Sequence, residues 1–318
     1  MSAGRIFVMR PVFLDRVCIL ETLSVPHAQS GRPDRYFRHL LVAPSILVLL
    51  LVAVFPLIYL ILVSFQGITM TDNDTSFIGF ANYLHLLDDR RMWEAVLHTL
   101  IFLLIALPLE LLLGLFMAQL FLDQLPGRQV FIALLVLPVV ISPIVAGATW
   151  SLMFDDRFGP INQILGWIAG HDVHLLWTIK PELVYPAILV AEVWQWTPFM
   201  FLLLLAALAN VDKSQQEAAA IDGAGYWRIF FKIVLPSIWP VMAIALMIRA
   251  LDLFRLFDVV WALTKGGPGT MTETLSIFTY NQGFKQFETS YTAAVALVII
   301  ILLTVALLWT LRRVELSR

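Results

Sequence analysis

The chain has 318 residues, 60% of them apolar and 14% charged, against roughly 45–50% and 25% in soluble globular proteins, which speaks against a water-soluble globule. Its 21 Lys and Arg against 23 Asp and Glu leave a net charge of −2, so a polybasic nucleic-acid binder is excluded and no nucleic-acid partner is expected. One cysteine, Cys18, supplies neither an intramolecular disulfide nor a thiolate cluster for a metal.

The amino-terminal stretch 1–38 carries positive charge, but its apolar pieces, such as Val17–Leu20, are too short for a secretory h-region. It reads as a retained, loosely ordered cytoplasmic tail whose basic residues lie near anionic headgroups. Six runs follow that meet the requirement of about 20 mostly apolar residues for a membrane-crossing helix. They are Leu40–Phe65, Ala95–Leu122, Val130–Met153, Val184–Ala209, Ser237–Thr264 and Ser290–Leu311, and the first, third and sixth contain no charge. The expected fold is an all-α integral membrane protein with six transmembrane helices. The membrane domain covers 39–311, and a short tail, 312–318, follows it.

Lys and Arg number six in the amino-terminal 38 residues, one in loop 123–129, three in loop 210–236 and three from Arg312 onward. The alternate loops, 66–94, 154–183 and 265–289, carry two each. The positive-inside bias therefore puts both termini on the cytoplasmic side, as an even number of spans requires. Pro108, Pro138, Pro143 and Pro198 lie within spans, where neighbouring helices accommodate kinks and hinges. Trp93, Trp167 and Trp177 fall in loops expected outside, where they suit interface anchoring or docking of a binding protein; composition does not separate the two. The six histidines show no metal-site spacing.

Loop 210–236 is unusual. Ser214 and Glu217 stand at capping-box spacing, so a helix is expected to start at Ser214. Ala218–Ala220 favour helix with little bulk, and Gly223-Ala224-Gly225 then breaks it. A second short helix is expected over Tyr226–Val234, with Pro236 turning the chain into the fifth span. Such a helix-turn-helix suits the groove of another protein or, equally, an amphipathic hairpin at the headgroups.

The fifth span carries Arg249, Asp252, Arg255 and Asp258 at intervals of three. Each charge at mid-bilayer costs about 2.5–3.5 kcal/mol, whereas the apolar residues of the span return only about 4–7 kcal/mol in total. These side chains are expected to face partner helices or a water-filled cavity, as internal salt bridges, as the lining of a solute path, or both. Glu192 in the fourth span lies at a depth close to Arg255 and is its expected partner. Trp194, Gln195 and Trp196 beside it offer flat apolar faces and hydrogen-bond donors suited to a sugar, although packing also explains buried Trp. Glu110 in the second span is expected to face the bundle.

The order Glu217-Ala218-Ala219, three residues, Gly223, nine residues, then Ile233-Val234-Leu235-Pro236 resembles the EAA loop of permease subunits in binding-protein-dependent ABC importers. Three further strings are similar to the sugar-importing branch, of maltose and trehalose transporter type: Phe77-Ile78-Gly79-Phe80-Ala81-Asn82-Tyr83, Arg249 through Asp258, and Leu263-Thr264-Lys265-Gly266-Gly267-Pro268. The resemblance runs from about Leu40 to Leu311. It implies a type I ABC importer permease fold in the cytoplasmic (inner) membrane of a prokaryote, without catalytic activity of its own. The implied partners are a second homologous permease subunit, an ATPase subunit dimer, an extracytoplasmic sugar-binding protein and membrane lipid. The implied solute is a sugar such as the disaccharides trehalose or maltose, moved by alternating access. Carried over by position, Glu217, Ala218, Ala219 and Gly223, with Asp222 beside them, contact the ATPase. The chain has no G-x-x-x-x-G-K-[ST] string, so ATP and Mg act in the partner subunits and no cofactor is expected here. An ion-coupled secondary transporter using the Arg/Asp series as a charge relay is the alternative.

Overall fold

A computed structural model describes residues 33–69, 75–122 and 126–315. The expectation for residues 1–32 of the tail lies outside the described residues, as do 316–318. The chain divides into two compact units, up to Leu57 and from Ile58 onward. In the first, α1 (Pro33–Leu49) passes through a π turn, Leu50–Val54, into the opening residues of α2 (Phe55–Ser64). Helix therefore already covers residues 33–38, inside the stretch expected to be a tail.

Among its described residues the second unit consists of helices and the loops joining them, with an isolated antiparallel bridge between Gln66 and Phe77. Asn82 fastens the chain there, its Nδ2 donating to the carbonyls of Ser64 at 2.9 Å and Gln66 at 3.0 Å, and α3 (Ala81–Asp88) follows. Asp89 then caps α4 (Arg90–Leu120), accepting from the amides of Arg91 and Met92. After α4 come α5 (Arg128–Val140), α6 (Pro143–Met153), α7 (Pro160–Ala169) and the long α8 (Pro181–Ala209). Helices α9 (Lys213–Ile221) and α10 (Tyr226–Ile229) form an elbow. A π turn, Phe230–Val234, leads into α11 (Leu235–Phe254), and α12 (Asp258–Leu263), α13 (Leu275–Tyr280) and α14 (Thr289–Glu315) complete the unit.

Five helices among the described residues are long and apolar enough to cross a membrane: His39–Ser64, Arg90–Leu120, Pro181–Ala209, Tyr226–Phe254 and Thr289–Thr310. The third expected span is different. It breaks after Val140 and resumes at Pro143 with a bend of 99°, since a proline disfavours helical geometry in the residue before it. The fifth expected span is also broken, between Phe254 and Asp258, so Asp258 does not continue the helical series of Arg249 and Asp252. At its other end Pro236 does not turn the chain: helix runs unbroken from Tyr226 to Phe254. The wide turn directly before Pro236 relieves the clash its ring would otherwise make in a regular α-helix.

Close packing of small residues sets the bundle. A Cβ on Gly114 of α4 would stand 2.6 Å from the Cβ of Met200 on α8, and one on Gly147 of α6 2.7 Å from the Cβ of Ala262 on α12. Such approaches, in which small residues let backbones meet, are how helices associate in lipid. Apolar core fills around them: Trp150, Ile188 and Val260 at one level, Phe201, Leu204 and Met242 nearer the elbow.

Candidate functional site: an exposed elbow and a buried ion network

The elbow is built by local capping. The cap of α9 is Asp212, one residue before the helix, rather than Ser214; its Oδ1 accepts from the Ser214 amide at 2.9 Å. Hydrogen bonds from Ser214 hold the Asp212 carboxyl below its ordinary range. At the far end the Ala224 amide donates to the Ala219 carbonyl at 2.9 Å and the Gly223 amide to that of Ala220 at 3.0 Å, with Gly223 at φ +82°. This is the closing pattern that glycine adopts without a side-chain penalty. Glu217, Ala218, Asp222 and Gly223 are exposed and Ala219 is half-buried. The sequence reading missed the aromatic continuation of this surface. Ile221 is 87% exposed, and Tyr226, Trp227 and Phe231 are exposed beside it, with Trp227 stacked on Phe231 at 5.9 Å. The Tyr226 hydroxyl donates to Gln119 Oε1 of α4 at 3.3 Å, so the elbow is tied back to the bundle.

Inside the bundle, α4, α8 and α11 meet at one guanidinium. Arg249, 1% exposed, donates from Nε to Glu110 Oε2 at 2.8 Å and from Nη2 to Glu110 Oε1 at 2.7 Å. Nη2 also reaches Glu192 Oε1 at 2.9 Å, and the guanidinium lies 4.4 Å from the Trp196 ring centroid. A bidentate pair, a second carboxylate and an aromatic face are what a buried arginine requires, since an unpaired charge in hydrocarbon is prohibitive. The expected Glu192–Arg255 pair is not made. Arg255, 69% exposed on its side chain, donates instead to Asp252 Oδ1 at 2.8 Å, because the chain leaves the helix at that point. Glu110, to which the sequence assigned no partner, is the principal ligand of Arg249.

Gln195 is also committed. Its Nε2 donates at 3.0 Å to the carbonyl of Ile141, left free where the third segment breaks. The second break is closed similarly: Thr274 Oγ1 donates to the Leu256 carbonyl at 2.7 Å. Backbone groups released inside a membrane need such partners. Trp194 is partly exposed and packs edge-on to Trp150 at 5.6 Å. Asp252 is half-buried, while Arg255 and Asp258 are exposed. The residues read together from sequence thus separate into a buried set, Glu192, Gln195 and Arg249, and a more open set, Trp194, Trp196, Asp252, Arg255 and Asp258.

The Leu263–Pro268 string lies in a loop closed by its own hydrogen bonds, at the end away from the elbow. Thr264 and Thr272 share a hydroxyl hydrogen bond of 2.8 Å, and Thr272 Oγ1 donates to the Gly267 carbonyl at 2.7 Å. Glu273 beside it accepts two bonds from Arg91, at 2.7 and 2.8 Å, and one from Asn281. Nothing in the spacing of residues announces this pairing, whose members lie 182 residues apart.

The chain matches the family model for the inner membrane component of binding-protein-dependent transport systems over residues 78–315. It belongs to this family. It is 35% identical over 243 residues to the trehalose/maltose transport system permease protein MalF of Thermococcus litoralis, covering 76% of this chain and 82% of that one. It is 33% identical over 270 residues to the sulfoquinovosyl glycerol transport system permease protein SmoG of Agrobacterium fabrum, covering 83% and 86%. A chain of a bacterial ABC transporter involved in importing the acidic polysaccharide alginate shares the fold, with a TM-score of 0.76 at 22% identity over 89% of this chain and 96% of that one. The all-α, multi-pass ABC importer permease fold follows for this inner-membrane subunit.

Proposed function

We propose that this subunit is one half of the permease of an ATP-driven sugar importer, taking a disaccharide such as trehalose or maltose inward by alternating access. The observation that carries it is the exposed elbow: a short capped helix with a small-residue face and a glycine stop, projecting from the junction of α8 and α11. Its ends join those two helices, to α8 through the turn at 210–212 and to α11 through the glycine turn and α10, so a partner gripping it pulls on both. The relatives named for trehalose/maltose and sulfoquinovosyl glycerol transport support a carbohydrate solute. In this reading Glu217, Ala218, Ala219, Asp222 and Gly223 meet one member of an ATPase dimer in the cytoplasm. A second permease subunit completes the path, and an extracytoplasmic sugar-binding protein delivers at the opposite end.

Trp194, Trp196, Asp252, Arg255 and Asp258 line the path in this proposal, whereas Glu192, Gln195 and Arg249 hold its framework. Binding energy and ATP-driven closure act on one inward/outward equilibrium. The test is a screen of sugars for stimulation of ATP hydrolysis by the reconstituted complex with its binding protein. A disaccharide is expected to stimulate. Uptake that persists without the ATPase and collapses with the proton gradient would instead establish an ion-coupled carrier.

A further inference from the structure

The most buried side chain of helix α7 is a polar one, while much of its apolar surface faces outward. An amphipathic helix in a water-soluble protein buries its apolar stripe and exposes its polar one. The buried residue of α7 is Asn162, whose Nδ2 donates to the Leu175 carbonyl at 3.0 Å and at 3.5 Å to that of Asp155. Its Oδ1 accepts from Trp177 Nε1 at 2.9 Å. The outward face carries Ile164, Trp167 (85% exposed) and Ile168 (70% exposed), and exposed Phe158 precedes the helix. No residue from Pro160 to Ala169 is charged. Beside this face lies a polar recess of about 270 Å³, lined by Asp156, Arg157, Asp172 and His174 among others, with Trp167 on its edge.

Two observations name the occupant of that face. The bonds from Asn162 pin α7 to residues 175–177, just before α8 begins at Pro181, so α7 sits at the level where the bilayer-crossing surface of α8 starts. The division between an uncharged apolar face and a recess of charged groups, with Trp at the boundary, is that of a helix lying in a membrane interface.

We infer that α7 lies in the plane of the bilayer interface at the end away from the elbow, with Ile164, Trp167 and Ile168 against phospholipid acyl chains and the recess toward water. The inference depends on membrane insertion alone and stands whatever solute is carried. It is tested in the complete complex in liposomes, with Cys18→Ser removing the natural thiol and a fluorophore attached at Ile168→Cys or, separately, Asp172→Cys. A nitroxide carried shallowly on lipid acyl chains is expected to quench the label at 168 about threefold more than that at 172, with aqueous iodide showing the reverse order. Adding the soluble binding protein is expected to leave both unchanged. Equal quenching of the two labels by iodide, or shielding of position 168 on addition of the binding protein, would overturn the inference and mark α7 as a protein-docking surface.

Discussion

The elbow and the ion network show opposite uses of the same chain. In the elbow every stabilising bond except the Tyr226–Gln119 contact is local, and the side chains that matter point away from the molecule. In the network the groups come from α4, α8 and α11, the pairs are separated by 139 and 57 residues, and Arg249 and both glutamates are buried. A surface made from one continuous segment tolerates change until its partner is asked for. A junction of three helices responds at once, in the stability of the bundle.

The largest effect is therefore expected at the junction. Arg249→Gln leaves two carboxylates in a low-dielectric interior and is expected to cost about 3–5 kcal/mol, seen as loss of folded subunit in detergent melts. Combining Arg249→Met with Glu110→Gln and Glu192→Gln is expected to recover much of that loss; if the triple variant is no better than the single one, the charge balance assigned here is wrong. Next comes Gln195→Leu, which strips the Ile141 carbonyl of its donor and is expected to destabilise by about 1–3 kcal/mol.

At the elbow the comparison predicts function without stability. Gly223→Asp is expected to abolish transport and weaken ATPase association while the melt of the isolated subunit falls by no more than a local backbone penalty. A Cβ there meets nothing within 4 Å, so the local cost is the left-handed backbone alone, about 1–2 kcal/mol. Normal uptake by that variant would remove the elbow from the coupling role. Asp252→Asn and Arg255→Gln, tested for sugar-stimulated ATP hydrolysis, are expected to impair transport with assembly intact.

The smallest effect concerns acid. Asp212 titrates below its ordinary range when it caps α9, so its contribution is complete above that range and fades as pH falls through and beneath it. Protection of the Ser214 amide against hydrogen exchange, taken relative to the unstructured chain at the same pH, should fall along that limb, and Asp212→Ala should abolish this pH dependence of the protection.

What was legible in the sequence follows the same division. The hydropathy runs located five crossing helices, because a run of that length has no other economical fold in lipid. The elbow was legible as residues 217–223, since spacing within one helix fixes which side chains share a surface. The Arg249 clamp was only half legible. That charges in the fifth span needed partners could be read, but depth counted along ideal helices paired Glu192 with Arg255, and the break after Phe254 removes the premise of that count. Pro143 signalled a kink and not a right-angle bend, and nothing near Thr274 or Gln195 announced that each caps a carbonyl on another segment.

Those two caps bear on how the polypeptide is made. Helix α5, at about 20 Å, falls short of the roughly 30 Å hydrocarbon core, and the donor for its terminal Ile141 carbonyl arrives 54 residues later in synthesis. A ribosome feeding this chain into the bilayer therefore delivers the third segment before its hydrogen-bond partner exists. The Ile141 carbonyl gains this donor only once α8 has emerged, so the two segments share one hydrogen-bond account across the membrane.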